Sequence, residues 1–399
     1  MFLARAVYAF SWYNVGAVPG PIEAGLHIDV AQFGIVLGAF LVGAGIFQLP
    51  AGLAAMRWGS RRVSLAALAV MGTFAIASGF APNWYALIAF RFGVGAGAAM
   101  FFAPALGLVA SYFPPGSRGP IIGLYNAGFS VGAAAGLVLG ALLGAALGWG
   151  WALGLGGVAL LIAAGTAGIV LPHVDTPMGP STFSDLRRAA RPVLRSRPVW
   201  ALALALTGVW AAFFIVAQFF VAYASDVHPT WPLAVAVALP TVMILVEVVG
   251  GPIGGLLGER ARDMRVPLAA AGITSAGAVL LIPFLPLDAL VALFVLLGFL
   301  DGVVFAVLYL IPSYYSEIRG EGFALSLALL NGVQIFGGSA LAVAFGFLAV
   351  DVGYTAAWWF AGGVGLLTLP FMVFVARARR EGAQVPMPVP ANDSFFRDK

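Results

Sequence analysis

Twelve long apolar stretches constrain the fold of this chain more than any other feature of its sequence. Each runs for about 20 residues or more, and a helix of about 20 residues crosses about 30 Å of hydrocarbon at 1.5 Å per residue. Strands of a membrane barrel instead alternate apolar and polar residues over about 10 residues. A helix also satisfies its backbone N–H and C=O groups within one segment. We therefore predict an all-α integral membrane protein with twelve transmembrane helices.

Composition supports this class. Hydrophobic residues make up 62% of the 399 residues and charged residues 9%, and the mean hydropathy is +1.01. Soluble domains are about 25% charged, and a water-soluble fold needs more polar cover than this chain offers. The sequence contains no cysteine, which excludes a disulfide framework and thiol chemistry.

The predicted membrane-spanning segments are numbered span 1 to span 12 in chain order. They lie at 3–26, 31–55, 63–82, 84–112, 119–146, 149–172, 199–224, 231–257, 266–286, 289–312, 322–347 and 353–376.

The basic residues fix a predicted orientation. If the N-terminus is cytoplasmic and Arg5 is counted with it, nineteen of the twenty basic residues fall in cytoplasmic segments, as the positive-inside rule requires. The remaining one is Arg91, within span 4. The external loops contain aspartates but no Arg or Lys. We therefore expect cytoplasmic N- and C-termini and a multi-pass location in the plasma or inner membrane.

A long polar loop divides the spans into two sets of six. We expect an N-terminal six-helix bundle at 1–172, a cytoplasmic linker at 173–198, a C-terminal six-helix bundle at 199–377 and a cytoplasmic tail at 378–399. Within the linker, 184–191 has the pattern of an amphipathic helix on lipid headgroups. A glycine-plus-charge turn follows the second span of each half, at 52–62 and 255–262. Such a repeat of six spans is typical of rocker-type transporters.

At these turns the chain resembles the major facilitator superfamily, over essentially its whole length. The resemblance implies that the turns form cytoplasmic gates. The family pattern has an Asp where this chain has Met56, so the resemblance implies that a charge latch is kept in the second half, through Glu259, and is in doubt in the first. The matching residues are Gly52, Arg57, Gly59, Arg61 and Arg62 in the first turn and Gly255, Glu259 and Arg260 in the second.

Glycines of span 5 carry a further likeness. Gly123, Gly132, Gly136 and Gly140 fit a motif of family antiporters, although Leu137 and Ala141 depart from it. Glycine also recurs every four residues from 128 to 144, and such a stripe lets two helices approach closely in lipid. We interpret the stripe as a packing surface. A moving helix contact is the alternative.

Three ionisable residues at membrane depth are candidates for function, because a charge there is costly. Arg91 stays charged in any environment and would bind a substrate carboxylate or phosphate, or serve as a structural pairing group. Asp301 would take up a proton, since burial favours its neutral form, or form a salt bridge with Arg91. Glu247 would couple transport to protons, or make a packing hydrogen bond in its protonated form.

Polar and aromatic residues on several spans are further substrate-binding candidates. The family resemblance implies a central cavity lined by spans 1, 4, 7 and 10. Each candidate has interhelical hydrogen bonding as its alternative role. They are Trp12, Tyr13, Asn14, Asn126, Gln218, Asn331 and Gln334, with Trp210 and Phe214 beside them on span 7.

Prolines predict bends in the helices. Pro19 and Pro21 predict a bent outer half of span 1, and carriers use broken helices in gating. Pro104, Pro240 and Pro312 predict similar bends in spans 4, 8 and 10.

Other classes of protein find little support. The three histidines are far apart in sequence, so no nucleophile–base pair or metal site is indicated. No Walker motif suggests ATP as the energy source. The basic residues flank the spans, so nucleic acid is not an expected partner, and we expect no cofactor.

The sequence thus predicts a secondary active transporter, not an enzyme, that moves a small organic anion or metabolite by alternating access. We expect protons as the coupling ion, the lipid bilayer as its environment and a monomer. Efflux of lipophilic drugs by an antiporter is the alternative transport function, and a transporter-like receptor or sensor is the alternative from another class. The sequence leaves uptake and export both open.

Overall fold

The computed structural model describes residues 1–112, 118–172, 190–315 and 321–375. These residues form helices joined by short turns, without a strand among them. Most of the predicted amphipathic segment 184–191 and all of the tail 378–399 lie outside the described residues.

The described helices match the predicted spans closely. Eleven are long and apolar enough to cross a membrane, and a broken helix at the N-terminal end adds the twelfth. Spans 1 to 6 comprise Phe2–Tyr13 with Pro19–Leu26, Val30–Ile46 with Gln48–Trp58, Ser60–Gly79, Trp84–Ser111, Arg118–Leu147 and Trp149–Val170. Spans 7 to 12 comprise Arg197–Val227, Leu233–Arg260, Arg265–Val279, Leu287–Leu310, Glu321–Asp351 and Tyr354–Thr368.

Span 1 breaks in its middle, as its prolines predicted. The first helix ends at Tyr13, a 3-10 turn covers Asn14–Ala17, and a second helix begins at Pro19. Proline is favoured at the first position of a helix because its missing N–H is not needed there.

Prolines elsewhere behave less uniformly than we predicted. Span 2 is interrupted at Phe47, which the sequence analysis missed, because Pro50 offers no N–H to the carbonyl of Ile46. Pro104 and Pro240, where we predicted bends, do not break their helices, since both lie inside continuous helices. Span 10 passes into the 3-10 turn Ile311–Tyr314, which contains Pro312.

Short side chains cap two of the helices. Asp29 accepts a hydrogen bond from Gln32 N (2.8 Å), and the Gln32 side chain accepts one from Asp29 N (3.0 Å), so a capping box begins span 2. Asn83 caps span 4 by accepting from Ala86 N at 2.9 Å.

The two halves repeat the same packing. In the first half, span 1 contacts spans 5 and 6. Spans 2 and 3 both contact span 4, and span 3 also contacts span 6. In the second half, span 7 contacts spans 11 and 12 in the same way. Spans 8 and 9 both contact span 10, and span 9 also contacts span 12. Spans 2 and 11, spans 5 and 8, and spans 1 and 7 join the halves.

The glycine stripe of span 5 is a packing surface. Gly132 lies directly against the backbone of Ala6, and a Cβ at Gly136 would lie 2.6 Å from the carbonyl oxygen of Phe10. At Gly140 a Cβ would lie 3.1 Å from the Cα of Asn14. The stripe therefore forms the groove in which span 1 lies, and it positions the backbone of that span.

Candidate functional site

A cavity of about 690 Å³ lies between the two halves. Its wall is formed by spans 1, 4, 5, 7, 8, 10 and 11. The first half contributes Arg5, Tyr8, Trp12, Tyr13, Phe102, Asn126, Phe129 and Ser130 among others. The second half contributes Trp210, Phe214, Glu247, Asp301, Tyr309, Asn331 and Gln334 among others.

The cavity is closed at one end by a contact between spans 1 and 7. Gln218 Nε2 donates to the carbonyl of Trp12 at 3.1 Å, and Gly16 packs directly against Gln218. Beyond them, Phe33 and Phe345 pack on Phe219 with ring centroids 5.9 and 4.9 Å away. The cavity residues of span 1 precede this contact, so the cavity lies towards the face that bears the N-terminus and the arginine-rich turns.

Arg5 forms part of the cavity wall, a role that the sequence analysis did not predict when it counted this residue with the N-terminus. The residue lies within the helix Phe2–Tyr13 and is 5% exposed. Its guanidinium carbon lies 4.7 Å from the ring centroids of Tyr8 and Phe129 and 4.8 Å from that of Phe102. The negative faces of aromatic rings attract a cation, which stabilises Arg5 inside the bundle.

The hydrogen-bonding capacity of Arg5 is not used up. Its Nε and Nη1 have no hydrogen-bond partner within the described chain. Among the described residues, no ion pair joins Arg5 to a carboxylate. Arg5 therefore presents a permanent positive charge with donors to spare at the edge of the cavity.

Two carboxylates face the cavity from the other half. Glu247 on span 8 is half-buried, and Asp301 on span 10 is 8% exposed. The two spans cross at glycines, since Gly302 lies against the backbone of Glu247 and a Cβ at Gly250 would lie 3.1 Å from the Cα of Gly302. This crossing places Asp301, the residue before Gly302, beside Glu247.

Arg91 is not among the described residues that line the cavity, where an anion-binding role would place it. It is 1% exposed, and its Nη1 donates to the carbonyl of Ser11 at 3.3 Å while Phe40 lies 4.8 Å from its guanidinium carbon. The alternative of a salt bridge to Asp301 is also not realised in the described residues. Spans 1 and 2 enclose this face of span 4, so Arg91 lies inside the first half.

The predicted polar candidates separate into two groups. Trp12, Tyr13, Asn126, Asn331 and Gln334 line the cavity, together with Trp210 and Phe214.

The other two candidates, Asn14 and Gln218, bond between helices instead. Asn14 Nδ2 donates to Ala152 O at 3.0 Å, and Gln218 closes the end of the cavity.

The turn at 52–62 caps a neighbouring helix. Gly59 adopts φ +84° between spans 2 and 3, a conformation that favours glycine. Arg61 donates to the carbonyl of Gly168 near the end of span 6, whereas Arg57 and Arg62 are exposed. A Cβ at Gly52 would meet nothing within 4 Å. The side chain of Met56 lies outside the described part.

The second turn makes the equivalent cap with different residues. Glu259 and Arg260 are exposed, and no ion pair of Glu259 occurs among the described residues. The ion pair in this region instead joins Arg265 to Asp263, at 2.6 Å. Arg265 also donates to Val375 O at 3.1 Å, at the end of the segment that follows span 12. Within the described part of the chain, Glu259 therefore makes no latch. A Cβ at Gly255 would meet nothing within 4 Å.

Comparison with known proteins gives the family. The model of the Major Facilitator Superfamily matches residues 1–338. The chain belongs to this superfamily. With eleven described helices long and apolar enough to cross a membrane, this member of the superfamily is a multi-pass membrane protein.

Relatives with assigned substrates match parts of this superfamily member. The 4-hydroxybenzoate transporter PcaK of Pseudomonas aeruginosa is 36% identical over 139 residues, which cover 34% of this chain and 31% of the relative. The gallate transporter of Pseudomonas putida is 32% identical over 164 residues (40% and 36%). The hexuronate transporter of Bacillus subtilis is 27% identical over 134 residues (34% and 32%). The matched segments span about a third of each relative.

Solved structures share the fold over nearly the whole chain. A bacterial homologue of the human lysosomal transporter Spinster, inward-facing and unoccupied, superposes with a TM-score of 0.68 at 19% identity, covering 94% of this chain and 93% of that one. The inward-facing and occupied structure gives 0.66 at 18% identity, covering 94% and 92%. This likeness shows that the chain shares its fold with these structures.

Proposed function

We propose that this protein transports an aromatic monocarboxylate by alternating access. The observation that supports the proposal most strongly is Arg5, a buried cation with unused donors in the wall of a cavity between the two halves. A buried, unpaired charge is strongly destabilising, and a bound anion relieves that cost.

A single carboxylate fits the charge of the site. Arg5 is the one basic residue among the described residues that line the cavity. A guanidinium presents its N–H donors in a planar fork that matches a carboxylate. One such fork binds one carboxylate, whereas a dicarboxylate would bring a second charge towards Glu247 and Asp301.

A flat apolar body fits the rest of the cavity. Trp210 and Phe214 stack with centroids 5.5 Å apart and planes 12° from parallel. Tyr8, Trp12 and Phe129 line the opposite half. Aromatic rings prefer offset stacking or edge contacts with one another. The names of the hydroxybenzoate and gallate transporters point to the same class, whereas a hexuronate would need more hydroxyl partners than these rings provide.

The acidic pair supports a proposal of proton coupling. Asp301 is more deeply buried than Glu247 and has no hydrogen bond among the described residues. Burial disfavours the charged carboxylate, so we propose Asp301 as the group that takes up the coupling proton. The halves 1–172 and 199–377 then move as two bundles about the cavity, with 173–198 as their linker.

Uptake into proteoliposomes tests the proposal. We expect labelled 4-hydroxybenzoate to accumulate when a proton gradient is imposed, and the accumulation to be lost in Arg5→Gln. Arg195→Gln removes an exposed arginine of the linker and is the matched control, which should retain wild-type uptake. Loss in both variants, or in neither, would contradict a role for Arg5 in binding.

Efflux of lipophilic cations is the second candidate function. It is favoured by the two carboxylates beside the Trp210–Phe214 stack, since such groups also bind flat cations. A quinolone resistance transporter of Acinetobacter baumannii is 27% identical over 124 residues, 31% of this chain and 27% of the relative. Binding of lipophilic cations that survives Arg5→Gln, with no binding of carboxylates, would favour this function.

A further inference from the structure

Opposite charges face each other across the cavity from different halves. Arg5 lies on span 1, and Glu247 lies on span 8. Both side chains line the same cavity, yet no ion pair joins the two within the described chain. A ligand that occupies the space between these walls therefore meets a cation at one end and a carboxylate at the other.

Glu247 is free to receive a ligand. It is half-buried and lines the cavity, and within the described residues no hydrogen bond reaches its side chain. A carboxylate accepts hydrogen bonds through two oxygens and, when ionised, donates none. Glu247 therefore favours a ligand group that donates a hydrogen bond, and it disfavours a second anionic group.

Of the neighbouring groups on this wall, the carboxyl group of Asp301 shares that preference, whereas the amides of Asn331 and Gln334 carry both donors and acceptors. Asn331 Oδ1 already accepts from Tyr309, at 3.2 Å, and Asp301 adds a second carboxyl group. Gln334 is fully buried with neither amide atom partnered. Among the described residues of the second half that line the cavity, none is basic.

We infer that Glu247 determines specificity by accepting a hydrogen bond from a hydroxyl or amino group at the end of the substrate away from its carboxylate. The inference rests on the proposed function and names a narrower substrate class: aromatic monocarboxylates with a distal donor. Hydrogen bonds to a charged group contribute more than neutral ones, and a site left with an unpaired polar group rejects the analogue that lacks the donor.

Equilibrium binding to the purified full-length protein tests the inference with four ligands: benzoate, 4-hydroxybenzoate, 4-methoxybenzoate and benzene-1,4-dicarboxylate. The wild type should bind 4-hydroxybenzoate about tenfold more tightly than benzoate. The methoxy compound keeps the oxygen but lacks the donor, so it should bind no better than benzoate. The dicarboxylate should bind more weakly than benzoate.

Glu247→Met removes the acceptor, and Asp351→Asn, which changes an exposed carboxylate at the end of span 11, is the control. We expect Glu247→Met to bind benzoate normally and to lose the preference for 4-hydroxybenzoate, while Asp351→Asn keeps it. A preference that persists in Glu247→Met overturns the inference. If that variant does not fold, a wild type that binds the methoxy and hydroxy compounds equally well overturns it too.

The outcomes separate this inference from the proposed function. Carboxylates that bind the wild type without any preference for a distal donor would overturn only the role of Glu247. Failure of all four ligands to bind would overturn the proposed function, and the inference with it.

Discussion

Replacing Gly132 by alanine tests how span 5 positions the arginine of the site. A Cβ at this position would lie 2.5 Å from the Cα and carbonyl carbon of Ala6, the residue next to Arg5. Ordinary contact begins near 3.4 Å and the carbonyl oxygen of Ala6 lies closer still, so spans 1 and 5 must separate by at least about 1 Å, which loses dispersion contacts along their length. The opposing atoms are backbone and cannot rotate away.

The magnitude follows from two opposing effects. Overpacking of this kind costs about 1–3 kcal/mol, and backbone contact places Gly132→Ala near the upper end. Alanine recovers about 1 kcal/mol of helix propensity relative to glycine. We therefore expect the free energy of unfolding to fall by about 2 kcal/mol.

Other glycines supply a graded series and a control. At Gly136 the nearest atom to a Cβ is the Phe10 carbonyl oxygen at 2.6 Å, and at Gly128 the nearest atoms lie at 3.1 Å. A Cβ at Gly165 would meet nothing within 4 Å, so Gly165→Ala should be neutral or slightly stabilising.

Unfolding of the detergent-solubilised variants, followed by tryptophan fluorescence, measures the series. The order of destabilisation should be Gly132→Ala, then Gly136→Ala, then Gly128→Ala. Because Arg5 moves with Ala6, Gly132→Ala should also weaken carboxylate binding. A Gly132→Ala protein as stable as Gly165→Ala would refute the assignment of the glycine stripe as the packing surface for span 1.

Three further changes probe the remaining assignments. Asp301→Asn should abolish gradient-driven accumulation in proteoliposomes yet leave counterflow exchange, because exchange needs no net proton movement; unchanged accumulation would remove Asp301 from coupling. Arg91→Lys should lower the melting temperature without changing carboxylate affinity, because Arg91 contacts Ser11 and not the cavity; a selective loss of affinity would restore it as a binding residue. Arg265→Gln should cost about 1 kcal/mol of stability, since it removes a cation from the carbonyl of Val375, and a calorimetric scan that shows no change would argue against the cap.

The spans could be predicted because lipid imposes a length and a polarity on each of them. The break in span 1 was also predictable, from Pro19 and Pro21. The interruption at Phe47 was missed, because a proline interrupts some helices and lies within others, as Pro104 does. What decides between these outcomes is packing against neighbouring spans, which one sequence does not display.

The site was only partly predictable. A carboxylate in mid-span signals function, so Glu247 and Asp301 were identified from the sequence. Hydropathy does not tell which face of a helix looks into the cavity, and this led to Arg91 being preferred to Arg5. One signal favoured Arg5: it lies inside the predicted span, three residues before Tyr8 and seven before Trp12, on one face of a helix.

Thermal stabilisation of the purified protein by small anions tests the role of Arg5 most directly. An aromatic monocarboxylate at a hundredfold excess over its dissociation constant should stabilise the wild type by about 2.7 kcal/mol, and Arg91→Lys should show the same gain over its own baseline. Arg5→Gln should show none. Stabilisation of Arg5→Gln equal to that of the wild type would contradict the account, because the carboxylate would then bind elsewhere.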